Sequence, residues 1–239
     1  MNKELINKKK EEWITNHYDQ LTKENYKSWL SEREFSGQGS LCILKSCLFK
    51  RNHVVFSKLQ EKVLLDLLYQ EDVVDIREYY PIFATGDDKV ICTTFLVSRR
   101  KENEIVDEAI SVVREVNKSN GKRISFQNEF YEERGISYKV VTEKDLIGQN
   151  NKQYNYKLFY KAKCNAAVFE RYRKTLVYQA LQKQIKRSGC CCTVNELIRE
   201  YQGQELLQAI EYLKYMIAHK EVQINWNEKF TLSSVVSLT

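Results

Sequence analysis

The stretch Val90–Asn117, VICTTFLVSRRKENEIVDEAISVVREVN, decides how this chain is read. It contains two apolar, β-branched runs, near 90–98 and 105–114, around a charged turn. Such runs predict a hairpin. On a strand, residues two apart face the same side. A hairpin can therefore aim an acid from its first strand, and an acid-x-Lys from its second, at one divalent ion. Here those positions hold no such charges.

The surrounding sequence completes the prediction. LCILKSCLFKRNHVVFS (41–57) reads as short strands around a basic turn. Ser57 is placed to cap a helix over 58–70, where Leu59, Val63, Leu64, Leu67 and Leu68 recur at helical spacing. VVDIREYYPIFAT (73–85) is extended, 117–135 turns into a helix ending at Gly135, and ISYKVVT (136–142) is a strand. Helix, three strands, helix, strand is the order of a mixed sheet with helices on it. Residues 3–35 read as helical, and GQGS (37–40) as a turn.

The last ninety residues differ. TLVYQALQKQIKRS, TVNELIREYQ and QELLQAIEYLKYMIAHKEVQIN read as three helices, the third running into a strand, and KFTLSSVVSL as a final strand. Three helices with a terminal hairpin predict a winged helix. The expectation is thus an α/β chain of two domains. Residues 1–150 form a mixed sheet with helices on it, and 151–239 a winged-helix domain.

Charge and cysteine usage narrow the class. The chain of 239 residues carries +6, yet 151–189 hold ten Lys or Arg against one acid, Glu170. Residues 1–150 are near −1 and 190–239 near −2. The basic excess favours a nucleic-acid contact in the central segment. Its sharpest clusters are Arg171, Arg173 and Lys174, then Lys183, Lys186 and Arg187. Tyr154, Tyr156, Phe159, Tyr160, Phe169, Tyr172 and Tyr178 interleave with them, for stacking on a ligand or for packing. Seven cysteines, three of them adjacent at Cys190, Cys191 and Cys192, fit a reducing cytoplasm better than a disulfide scaffold. Packing is the expected role of that triplet. No Cys-x-x-Cys pair is present, so no metal cluster is expected. No apolar run approaches the roughly 18 residues of a membrane helix.

Several motifs resemble the TnsA endonuclease subunit of heteromeric Tns-type transposases. YKSWLSEREFSGQGSLCI is similar to that family's Y-x-x-W-L segment and the Ser/Gly stretch after it. Asp75-Ile76-Arg77-Glu78 matches its D-I-R-E strand, TTFLV and EAISVV sit where its active-site strands belong, and ISYKVVTEKDL resembles its following strand and T-x-K/E-x-I element. The resemblance implies that residues 1–150 take a restriction-endonuclease-like, PD-(D/E)xK nuclease fold, which in that family cuts the 5′ ends of a transposon. Its partners would be transposon-end DNA, a TnsB-like transposase that cuts the 3′ ends, and a TnsC-like ATPase met through the winged helix.

Carried over residue by residue, the family's helix acid falls on Gln60, counted back without a gap from Asp75. The strand acid falls on Thr94, and the Q/E-x-K pair on Ser111 and Val113. Magnesium prefers carboxylate oxygens, and none of these residues has one. Replacement ligands are poorly placed. Asp107 shares parity with Ser111 but lies about 13 Å along the strand. Asp88 is further from Thr94, and Glu61 and Asp66 only neighbour Gln60 on the helix. Arg114 turns to the opposite face from Val113.

The expectation is a nuclease-deficient, architectural subunit with no cofactor, paired in one scenario with a second, intact TnsA-like chain. The alternatives are an active Mg2+-dependent nuclease with displaced ligands, and a winged-helix regulator. The first helix-turn-helix expectation, a basic recognition helix, is not met: ELLQAIEYLKYMIAHK is apolar and acidic early, which suits a protein partner better. Arg77 is expected to pair locally and fix its strand end.

Overall fold

The computed structural model describes residues 41–46, 51–83, 90–189 and 191–239. The expected helix over 3–35, the GQGS turn, Asp88, Cys47 and Cys190 lie outside them. The chain is mixed α/β and divides into two units between Ile147 and Gly148; the sequence placed the boundary near Asn150.

In the first unit, β1 (Cys42–Lys45) and β2 (Asn52–Val55) form an antiparallel hairpin. Helix α1 (Lys58–Tyr69) follows, its first turn closed by Ser57, whose Oγ accepts from the Gln60 N–H at 3.1 Å. Val63, Leu64, Leu65, Leu67 and Leu68 make its buried side. Strand β3 (Val73–Glu78) ends at Tyr79, whose φ of 53° breaks the extended run that was expected to continue to 85. A small antiparallel pair follows, β4 (Pro81–Phe83) with β5 (Val90–Cys92).

The hairpin predicted at 90–114 is real but shifted. Its strands are β6 (Phe95–Lys101) and β7 (Glu104–Val112), joined through Glu102, which takes a φ of 51°. Residues 90–92 pair with β4 instead. The charged run Arg99-Arg100-Lys101 looked like a turn but is strand, because Arg99 finds partners: Glu108 at 2.7 Å and Asp72 at 2.8 Å. Helix α2 (Lys118–Glu132) then returns the chain to β8 (Ser137–Val141). The four-stranded sheet runs β3-β6-β7-β8, antiparallel except for the parallel β7–β8 pair. A parallel neighbour needs a crossover, and α2 supplies it. Phe130 and Tyr131 of α2 pack with Leu96 and Ala109 on one sheet face.

The second unit begins with α3 (Asn150–Lys163) and α4 (Ala166–Tyr172). Then come α5 (Leu176–Arg187), β9 (Cys191–Thr193), α6 (Val194–Ile198), α7 (Gly203–Ala218), β10 (Val222–Gln223) and β11 (Val235–Leu238). The three strands form an antiparallel sheet ordered β10-β11-β9. Strand β9 was not expected. It uses Cys191 and Cys192, with Cys192 buried opposite Val236 and Cys191 exposed. The unit's core gathers Phe159, Phe169, Tyr178, Leu181, Ile185, Leu197, Leu213, Met216 and Val236.

Asn155 explains how α3 and the loop after β10 stay together. It is fully buried. Its Nδ2 donates to the carbonyls of Trp226 (3.0 Å) and Glu228 (2.7 Å), and its Oδ1 accepts from the Phe230 N–H at 3.0 Å. One side chain thus satisfies three backbone groups of the loop, which helices and strands would otherwise have to satisfy. Trp226 and Phe230 close over Phe159 with ring centroids 5.7 and 5.1 Å away.

Among the described residues, no helix is long and apolar enough to cross a membrane.

Candidate functional site

The four carried-over positions lie at one end of the four-stranded sheet. Gln60 sits in the first turn of α1. Its Oε1 accepts the Phe56 N–H and the Tyr79 hydroxyl, both at 2.9 Å. Tyr79 also donates its N–H to the Thr94 carbonyl at 3.0 Å. Thr94 stands just before β6, and its Oγ1 accepts the Val112 N–H at 3.0 Å. Ser111 and Val113 flank Val112. Ser111 donates to Gln127 Oε1 at 3.1 Å, and the Val113 N–H bonds the Val141 carbonyl at 3.0 Å.

The helix side has an ordinary reason for Gln60. Ser57-Lys58-Leu59-Gln60 follows the Ser-x-x-Gln pattern of a helix start, in which the third residue reaches back to an upstream amide. Here the amide is that of Phe56. That pattern was legible in the sequence and was passed over.

Two further residues belong to this cluster and carried no sequence signal. Tyr79 is one; it packs its ring against Phe56 at 5.6 Å and is held in the left-handed region. Burial raises its phenol well above the usual tyrosine range, so it remains a proton donor to Gln60. Gln127 on α2 is the other. Its Oε1 accepts from Ser111 and from Tyr138 (3.1 Å each), and its Nε2 donates to the Cys92 carbonyl at 3.1 Å.

This donor set does not fit Mg2+. A hard divalent ion needs carboxylate or free carbonyl oxygens. The Gln60 oxygen already accepts two hydrogen bonds, the Thr94 hydroxyl oxygen takes a backbone amide, and the site has no carboxylate. Among the described residues, no three His, Cys, Asp or Glu side chains group as a metal site would require.

The acids proposed as substitutes are committed elsewhere. Glu61 bonds Lys58 Nζ at 3.1 Å and accepts from Cys42 Sγ at 3.6 Å. Asp66 accepts from Gln70 at 2.9 Å. Asp107 accepts from Ser98 at 2.5 Å and pairs with Arg77 at 3.3 Å.

Asp107 belongs to a polar row that crosses three strands. Asp75, Ser98 and Asp107 stand opposite one another in register. Arg77 pairs with Asp75 (3.3 Å) and Asp107, and Arg51 pairs with Asp75 at 2.8 Å and also donates to the Ile76 carbonyl. Asp75 and Arg77 are buried. Burial raises the Asp75 carboxyl above the usual carboxylate range, and the two arginines offset that only in part. Glu78, the last residue of the same motif, bonds His53 Nδ1 at 2.8 Å and the Val54 N–H at 3.0 Å. The D-I-R-E motif thus works locally, as expected for Arg77, and also ties β2 and β7 to β3.

In the second unit, Arg171, Lys174, Lys183, Lys186 and Arg187 are exposed. The last three share the solvent side of α5, opposite buried Tyr178, Leu181 and Ile185. Arg173 differs from its neighbours: it pairs with Glu221 at 3.0 Å and Glu170 at 3.3 Å. Of the interleaved aromatics, Tyr156, Phe159, Phe169 and Tyr178 are buried in this unit, so they pack and are not presented to a ligand. Tyr154 stays 43% exposed, with Lys229 Nζ 4.9 Å from its ring centre. Helix α7 buries Tyr212, Leu213 and Tyr215–Ala218, and its first turns expose Gln204, Glu205 and Leu207 but no base.

No protein-family model matches the chain, and no curated protein matches it significantly.

Proposed function

We propose that this chain is a TnsA-like subunit of a heteromeric transposase that has lost nuclease chemistry and works as an architectural, DNA- and partner-binding protein. The observation that carries this reading is the closed hydrogen bonding of Gln60, Tyr79, Thr94, Ser111 and Gln127 where the related nucleases would hold their metal. Neutral side chains there spend their oxygens on each other and on backbone amides.

The fold supports the same reading. Helix α1, the β3-β6-β7 meander, α2 and parallel β8 follow the order expected of a restriction-endonuclease-like core. The order α5, β9, α6, α7, β10, β11 supports reading this unit as a winged helix. The exposed bases of α5 suit a phosphate backbone, whereas the base-free start of α7 suits a protein surface such as a TnsC-like ATPase. A TnsB-like transposase, and a second, intact TnsA-like chain to make the 5′ cuts, complete the assembly.

The test uses the purified full chain with supercoiled plasmid bearing candidate transposon ends. With Mg2+ or Mn2+ present, calorimetry should show no metal binding and gels no nicking, while duplex DNA is retained. Metal-dependent nicking that disappears in Asp107→Ala or Glu61→Ala would replace this reading with a nuclease using displaced ligands. Adjacent reading frames for an integrase-like transposase and an ATPase should accompany the gene.

A further inference from the structure

Helix α2 carries its charges in the order that a helix disfavours. A helix N-terminus is electropositive and its C-terminus electronegative, so acids belong first and bases last. Here Lys118, Lys122 and Arg123 fill the first two turns without an acid, and Glu129 and Glu132 fill the end without a base. Lys118 and Lys122 are also a like-charged pair one turn apart, which weakens a helix. All three bases are exposed, in a segment whose first 150 residues carry a net charge near −1.

A second observation lies on the same stripe. Gly121 is inside the helix, where glycine is unfavourable. A Cβ there would meet nothing within 4 Å, and the backbone is not left-handed. Neither packing nor conformation requires glycine. What glycine does provide is a bare backbone that another molecule can approach closely. Lys118, Gly121, Lys122 and Ser125 follow one another at helical neighbour spacing, all facing away from buried Gln127 and Tyr131. The helix end itself is already capped: Asn117 Oδ1 accepts from the Ser119 and Asn120 amides at 3.0 and 3.2 Å. The ligand would meet the side chains and the bare backbone.

We infer that the first two turns of α2 form a second DNA-backbone contact, with Lys118 and Lys122 on the phosphates of duplex DNA and Gly121 allowing close approach. This surface belongs to the sheet unit, separate from the basic face of α5, and it rests on the architectural reading above. Local rules broken without a packing gain mark functional positions. A polyanion would offset the electrostatic cost that the free helix carries. Glu129 and Glu132 bound the contact and keep it to the start of the helix.

This makes an unusual prediction: substitutions that improve the helix should weaken binding. Gly121→Ala and Lys122→Glu in the full chain should melt at the wild-type temperature or about 2–4 °C above it. Both should bind a short fluorescein-labelled duplex of arbitrary sequence more weakly. Lys118→Glu/Lys122→Glu should lose about tenfold in affinity at moderate salt, and the slope of log affinity against log salt should shrink by about one per base removed. Wild-type affinity and slope in these variants, beside weakened binding in Lys183→Glu/Lys186→Glu, would overturn the α2 contact and leave the architectural reading standing. Failure of the wild-type chain to bind duplex DNA at all would overturn both. A lowered melting temperature in Gly121→Ala would also overturn it, because the glycine would then be structural.

Discussion

The hydroxyl of Tyr79 lies 2.9 Å from Oε1 of Gln60, which ties the end of β3 to the first turn of α1. Tyr79 adds a backbone bond to Thr94 from the same residue. One tyrosine in the left-handed region therefore links the helix to the start of the hairpin.

Removing only that hydroxyl measures the link. Tyr79→Phe should cost about 1–2 kcal/mol, because a half-buried acceptor loses a partner while the ring remains. Urea unfolding should show a lower midpoint with an unchanged slope. Titration gives a second readout. Burial raises the Tyr79 and Tyr131 phenols, so their neutral forms stabilise the fold below the unfolded tyrosine pKa of about 10. That contribution falls as pH rises beyond it, and Tyr79→Phe should blunt the alkaline loss of stability.

The charge row on the sheet should contribute to stability. Asp75→Ala leaves Arg51 and Arg77 without their shared carboxylate in a buried setting, and should cost about 3–5 kcal/mol. Asp107 is partly exposed, so Asp107→Ala should cost less. Chemical denaturation of the two variants, compared with Ser98→Ala, checks this order.

Asn155→Ala removes three hydrogen bonds to backbone groups of the 226–230 loop and should destabilise the second unit by about 2–4 kcal/mol. Hydrogen exchange should rise at the Phe230 amide first, since Asn155 is its acceptor. Unchanged protection there would contradict the assigned role.

His219 predicts an acid sensitivity in the same unit. Burial lowers its pKa from the ordinary histidine value of 6.5, with the ring stacked 4.3 Å from Phe169 and Nε2 donating to the Ala162 carbonyl at 3.1 Å. A depressed pKa means the neutral ring stabilises the fold. That contribution is complete above about pH 6.5 and is lost as pH falls through the lower, folded value. His219→Gln should lower stability near neutrality but remove the acid-dependent part, as thermal melts at pH 7 and pH 5 would show.

Arg173 should separate from the basic side chains around it. Arg173→Ala breaks a part-exposed pair with Glu221 and should cost up to about 1 kcal/mol. Lys183→Glu/Lys186→Glu should leave the melting temperature nearly unchanged and weaken duplex binding.

Much of the fold was legible. Apolar spacing in 58–70 and Ser57 at its start predicted α1, because both signals are local. The β-branched runs at 73–85 and 105–114 predicted extended chain for the same reason, and strands stand at Val73–Glu78 and Glu104–Val112. The breaks were not legible. Tyr79 adopts a positive φ, and Arg99 continues a strand, because of partners far along the chain, Gln60 and Thr94 for one and Asp72 and Glu108 for the other. Strand β9 was missed because a cysteine run has no strand periodicity; it pairs only once β11 lies beside it.

The identity of the side chains at positions 60, 94, 111 and 113 was determined by the sequence alone, and with it the lack of a carboxylate, since chemical type does not depend on folding. Whether those oxygens stood free or already engaged was decided by tertiary structure, because the bonds that Tyr79 and Val112 donate to Gln60 and Thr94, and the one Ser111 donates to Gln127, join residues up to 19 positions apart. The same division holds in the second unit. Ten bases and seven aromatics could be counted along the chain, but only packing buried most of the rings, paired Arg173 and left Lys183, Lys186 and Arg187 facing water.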